Sequence, residues 1–143
     1  MKKLLLLVAA ACCLAACNKE LGPEYKTPPQ IGDVTCTPTD VQAEDVVTVR
    51  VPITSTYGLY SAWIIYWLGE DQEHAEQTLP YFYSKSDTSV VFEGKIPAQK
   101  AGSEVSFVVA AMNPYSAIAA TEVQTYTVAG ESEPGSDPAS EEN

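Results

Sequence analysis

Val46-Val47-Thr48-Val49-Arg50-Val51-Pro52-Ile53 sets Val47, Val49, Val51 and Ile53 on one side of the chain and Thr48, Arg50 and Pro52 on the other. A period of two is the repeat of an extended strand with one buried face. β-Branched residues dominate the run, and they suit a pleated, half-buried surface. Pro52 is the discordant residue. It has no N–H to give to a neighbouring strand, so it predicts a bulge, a strand end or a sheet edge at that point.

Further β-rich runs lie on either side: Ile31 to Thr37, Leu59 to Leu68, about Gln77 to Tyr83, Ser89 to Ile96, Val105 to Met112 and Glu122 to Val128. Turn chemistry separates them at Pro38-Thr39-Asp40, Ser55 to Gly58, Gly69 to Asp71, Ser84 to Asp87, Pro97 to Gly102 and Asn113-Pro114. No segment long enough for a helix carries a sustained apolar stripe at 3.6-residue spacing. Seven short strands in about 100 residues predict one all-β domain, a two-sheet sandwich in which each sheet hides its apolar face against the other.

Ile96-Pro97-Ala98-Gln99-Lys100-Ala101-Gly102-Ser103-Glu104-Val105-Ser106-Phe107-Val108-Val109-Ala110-Ala111-Met112-Asn113 resembles the closing half of fibronectin type III and related immunoglobulin-like domains of bacterial exported proteins. Thr125-Tyr126-Thr127-Val128 is similar to the last strand of such domains, and Pro28-Pro29-Gln30-Ile31 to their start. The resemblance implies a seven-stranded immunoglobulin-like (fibronectin type III-like) β-sandwich at residues 30–128. Val105 stands where fibronectin type III domains carry a corner tyrosine, and the immunoglobulin inter-sheet disulfide has no counterpart here.

Ahead of the domain, Met1, Lys2 and Lys3 precede an apolar run from Leu4 to Ala16. That is the pattern of an export signal, well short of the roughly 20 apolar residues of a spanning helix. Leu14-Ala15-Ala16-Cys17 resembles the bacterial lipobox, which implies cleavage of residues 1–16 and lipid attachment at Cys17. The residue after the lipid cysteine is Asn18 rather than an inner-membrane retention aspartate, which implies the outer membrane. Asn18-Lys19-Glu20 is loosely similar to surface-export signals of Bacteroidetes lipoproteins, and which way the domain faces stays open.

Cys12 and Cys13 leave with the signal and Cys17 is taken by lipid, so Cys36 has no partner for an internal disulfide. It reads as a small apolar residue, since Asp33-Val34-Thr35-Cys36-Thr37-Pro38 offers no base to activate the thiol. Residues 17–29, rich in proline, read as a flexible tether, and residues 129–143, with five carboxylates among Gly, Ser and Pro, as a disordered acidic tail. Loss of Lys2 and Lys3 takes the formal charge from −11 to −13. Such a chain repels phosphate backbones, so nucleic acid is excluded as a partner.

Catalytic chemistry finds little purchase. His74, the one histidine, sits in Glu70-Asp71-Gln72-Glu73-His74-Ala75-Glu76. The run offers hard oxygen ligands, but its spacing matches neither a calcium nor a zinc pattern, and a solvated acidic loop is the simpler reading. No phosphate loop or other cofactor motif occurs, so no enzyme, metal or cofactor is expected. Aromatic residues are the stronger signal: Trp63, Tyr66 and Trp67 in one run, Tyr81 and Tyr83 in the next, and Tyr115 in the last turn. Trp63, Ile65 and Trp67 share one face, and Tyr60, Ala62, Ile64, Tyr66 and Leu68 the other. One face is then core, and the second is either dressed by cross-strand aromatic pairs or open to a partner. The expected function is a non-enzymatic, lipid-anchored module at the cell envelope that binds a protein partner or, on an aromatic platform, a glycan.

Overall fold

The computed structural model describes residues 22–130. The expected export signal, the expected lipid site Cys17 and the expected acidic tail beyond Gly130 lie outside the described residues. Among the described residues ten strands run in order: β1 (Gln30–Ile31), β2 (Thr35–Thr37), β3 (Val47–Thr54), β4 (Ser61–Leu68), β5 (Glu76–Gln77), β6 (Tyr81–Phe82), β7 (Ser89–Ile96), β8 (Glu104–Met112), β9 (Ile118–Ala120) and β10 (Gln124–Thr127). Every pairing is antiparallel. One sheet has β3 at its centre, with β1 and β2 on one flank and β7 on the other. The second has β4 and β8 paired along eight residues, β5 and β6 flanking β4, and β9 and β10 flanking β8. The chain is an all-β two-sheet sandwich.

Ten strands arise from seven lines because three edges are each cut in two, and each cut adds one residue. Ile31 faces Ile53 but Thr35 faces Arg50. Ile65 faces Gln77 but Ala62 faces Tyr81. Ala110 faces Ala120 but Phe107 faces Gln124. These are edge bulges, which end a ladder and bend the strand. The one strand absent from the sequence expectation, β9, is the first half of the last of these edges.

Pro52 explains the first break. It lies in the middle of β3, yet its carbonyl accepts the Gly32 N–H at 2.8 Å, so its donor-less nitrogen faces the same flank. There the edge strand is already parting, and no ladder bond is lost. Gly32 is required opposite it, since a β-carbon at that position would lie 2.7 Å from Pro52 Cγ. At the other two breaks a threonine hydroxyl takes over the work of a carbonyl. Thr78 Oγ1 accepts the Ile64 N–H at 3.0 Å, and Thr121 Oγ1 accepts the Val109 N–H at 3.0 Å. The buried central strands therefore keep their donors paired where their neighbours diverge.

Between the sheets lies one core. Val47, Val49, Val51 and Ile53 of β3, Phe92 and Ile96 of β7, Ala62, Ile64 and Tyr66 of β4, and Val105, Phe107, Val109 and Ala111 of β8 are all buried in a single cluster. The packing is close enough that a β-carbon at Gly94 of β7 would lie 2.6 Å from Ile64 Cδ1 and 2.8 Å from Phe92 Cζ, so both side chains would have to move to admit it. Cys36 packs half-buried against this cluster, and burial pushes its thiol pKa up.

Alternation along β7 can be checked directly. Phe92→Ala, which opens a cavity in the core, is expected to cost about 3–5 kcal/mol in urea unfolding. Val91→Ala, one residue away at a position 57% exposed, should stay within about 0.5 kcal/mol.

Candidate functional site

Strand β4 carries large side chains on both faces, and the two faces have different fates. Ala62, Ile64 and Tyr66 point into the core. Tyr66 is only 6% exposed, and its hydroxyl donates to Glu76 Oε2 at 2.5 Å. Burial, reinforced by that carboxylate, pushes its pKa up to about 12. Trp63, Ile65 and Trp67 lie on the outer face, opposite Ala110, Val108 and Ser106 of β8. Val108 and Ala110 are closed from solvent on a face that carries no further sheet. The large side chains beside them supply the cover, and the small residues opposite the two tryptophans make space for it.

Two of the six aromatic contact residues expected from sequence are therefore withdrawn from the surface. Tyr66 faces inward, and Trp67 is only 4% exposed although it lies on the outer face. Trp63 is half-buried. Tyr83 is half-buried against the core, with its pKa pushed up to about 12 by burial and then by Tyr81 and Asp87. Its ring meets that of Tyr81 at 4.8 Å and 54°. Tyr81 and Tyr115 are exposed, Tyr81 on the β6 edge and Tyr115 in the β8–β9 turn.

The apolar surface that does reach solvent lies along the edge made by β5 and β6. Ile65 to Ala62 spans three steps of β4 while Gln77 to Tyr81 spans four, so Leu79 and Pro80 share the place opposite Trp63. Leu79 at this bulge is 92% exposed, Tyr81 58%, Phe82 60% and the adjacent Tyr60 41%. Tyr60 and Phe82 meet edge-on at 5.4 Å. Leu79, Phe82 and Tyr60 were not singled out as contacts from the sequence. Pro80 within an otherwise β-rich run was the signal that could have marked an interrupted edge.

A second aromatic group lies at one end of the sandwich. A 3-10 turn at Pro23–Lys26 brings the Tyr25 ring to 5.1 Å from Tyr57 and 4.5 Å from Tyr115. Asn113, fully buried, holds this arrangement. Its Nδ2 donates to the carbonyls of Tyr25 and Thr27 at 3.0 and 3.1 Å, and its Oδ1 accepts the N–H groups of Tyr115 and Ala117, each at 2.9 Å. All the hydrogen-bonding capacity of one amide is used to join the segment before β1 to the β8–β9 turn. Residues 23–27, which composition alone assigns to the tether, are thus bonded to the domain.

At the opposite end, a cavity of about 190 Å³ lies beside Tyr66, Trp67, Asp71, His74 and Gln99. His74 Nδ1 lies 2.8 Å from Asp71 Oδ1, and this hydrogen bond raises the pKa of an exposed imidazole. Among the described residues no three His, Cys, Asp or Glu side chains are placed to hold a metal ion.

No protein-family model and no curated protein matches the chain. Solved structures do. The sensor domain of the anti-sigma factor RsgI4 from Pseudobacteroides cellulosolvens, in a shorter form, superposes with a TM-score of 0.55 at 16% identity, covering 73% of this chain and 97% of that one. A longer form gives 0.53 at 13% identity, covering 71% and 90%, and a solution structure of the same sensor domain gives 0.52 at 16%, covering 69% and 76%. At such identities the likeness is one of fold.

Two measurements test these contacts. Asn113→Ala, which orphans two carbonyls and two N–H groups, is expected to destabilise the domain by about 2–3 kcal/mol and to release residues 22–29 to fast hydrogen exchange. Tyr66, Tyr83 and Tyr126 all have pKa values pushed up to about 12 from the ordinary 10, in each case first by burial. Each holds its proton more tightly when folded. The stability they contribute is therefore complete below pH 10 and is lost as pH rises toward 12, so phenolate absorbance and unfolding should appear together in that window.

Proposed function

We propose that the chain is a bacterial outer-membrane lipoprotein, cut before Cys17 and anchored there by lipid, whose fibronectin type III-like domain is a non-catalytic binding module for a protein partner. The observation that carries the binding reading is the row of Leu79, Tyr81, Phe82 and Tyr60, four large side chains 41–92% exposed along one sheet edge. Aromatic groups without charge at their centre mark protein interfaces, and among the described residues β6 pairs with β4 and no other strand, which leaves its far side for a partner. The pairing of β5 and β6 with β4, where constant-type immunoglobulin domains place the fourth strand on the other sheet, supports the fibronectin type III side of the resemblance. The structural neighbours are described as sensor domains, which accords with recognition.

A protein partner is favoured over a glycan on geometry. A sugar-stacking platform needs open, coplanar rings, whereas Tyr60 and Phe82 meet at 77°, Tyr81 and Tyr83 at 54°, and Trp67 is closed. A photocrosslinking amino acid at Phe82 in living cells should capture an envelope protein, and Leu79→Ser should weaken that capture. The same probe at Val91, equally exposed on the other sheet, should not. Equal labelling at both positions, or none at Phe82, would sink the proposal.

A further inference from the structure

The chain enters the sandwich at one end and leaves it at the other. Tyr25 and Thr27 are bonded to Asn113 at the end formed by the Ser55–Leu59 loop and the β8–β9 turn. Ala129 donates to the Val41 carbonyl, and Val128 to that of Ser103, at the far end. The two ends differ in chemistry. The entry end has the packed rings of Tyr25, Tyr57 and Tyr115, with Tyr115 39% exposed. Its charges balance, Glu24 and Asp87 against Lys26 and Lys85. The far end is acidic, with Asp40, Glu44, Asp45, Glu70 and Asp71 against Lys95 and Lys100.

We infer that the entry end rests on the lipid bilayer that anchors the chain, with Tyr57 and Tyr115 at headgroup level and the acidic end turned away. This rests on the reading of Cys17 as the lipidated residue. Five links join Cys17 to Gly22, a reach of no more than about 18 Å even when fully extended. Were the chain free as far as Pro29, the reach would be about 43 Å; the Asn113 bonds begin at Tyr25, eight links from Cys17, and cut it to no more than about 29 Å. A tyrosine ring with an apolar face and a polar hydroxyl suits the headgroup layer. Anionic lipids repel the far end, and the balanced entry end meets no such barrier.

The test uses the full chain, expressed in a bacterium, purified from its membranes and reconstituted in vesicles of phosphatidylethanolamine and phosphatidylglycerol. A fluorophore is attached at Thr56→Cys on the entry end or at Lys100→Cys on the far end, in a Cys36→Ala background with Cys36→Val as a second background. Quenchers carried on the lipid headgroups report proximity, and intact mass reports the lipid on Cys17. The expected result is a lipidated chain whose Thr56 position is quenched several-fold more strongly than its Lys100 position. Tyr115→Ser, which leaves the Asn113 bonds in place, should weaken the Thr56 quenching without changing the circular dichroism. Equal quenching at the two ends of a lipidated chain overturns the orientation and leaves the anchor standing. An unchanged signal in Tyr115→Ser overturns the aromatic contact. A chain recovered without lipid overturns both the anchor and the inference built on it.

Discussion

Val47, Val49, Val51 and Ile53 meet Ile64, Tyr66, Phe107 and Val109 across a gap from which water is excluded, and all eight are closed from solvent or nearly so. Among the described residues no disulfide links the sheets, and the thiol of Cys36 is free. The sandwich therefore stands on this apolar contact, helped by nothing covalent. The contact also fixes the register of both central strands, because a slip of one residue would turn the whole valine row of β3 to solvent. Gly94 shows how close the approach is, since the terminal carbon of Ile64 lies where any larger residue would place its side chain.

Burying β3, β4 and β8 creates a second requirement, that their backbone donors and acceptors stay paired at points where the shorter edge strands bend away. Three local devices meet it: the donor-less Pro52 opposite Gly32, the hydroxyl of Thr78 and the hydroxyl of Thr121. The bulged edges are thus a result of how the core is closed. They also have a functional side. At the bulge beside Thr78 the chain turns Leu79 into solvent and begins the exposed row that continues through Tyr81 and Phe82. This exposed apolar row is built on an interruption of the sheet that a hydroxyl makes tolerable.

The ends of the molecule are specified by polar bonding of another kind. A single buried amide, Asn113, ties the incoming chain to the last turn, and three tyrosine rings close over the junction. Entry point, aromatic cap and charge balance therefore coincide at one end, while the C-terminal exit and most of the loop carboxylates gather at the other. On the proposed anchoring at Cys17, this asymmetry would give the domain a preferred direction relative to the membrane.

Alternation in β3 was legible because it is a local property: each side chain points opposite to its neighbours whatever the rest of the chain does. The same holds for the seven strand lines, the turns between them and the special status of Pro52. Strand β4 was not legible in that way. Both of its faces are apolar, and which one becomes core depends on the sheet that packs against it. Tyr66 consequently turned inward, and Trp67 was covered on an outer face that sequence left open. The one-residue bulges leave no mark on a period of two, since they are differences of register between separate strands. Asn113 reads as an ordinary turn residue until the chain is folded, because the carbonyls it bonds lie 86 and 88 residues away. Sequence alone determined where strands form and which residues they offer to each side. Only the tertiary structure decided which offered surfaces were taken, because burial and long-range hydrogen bonds belong to pairs of segments and are not contained in either one.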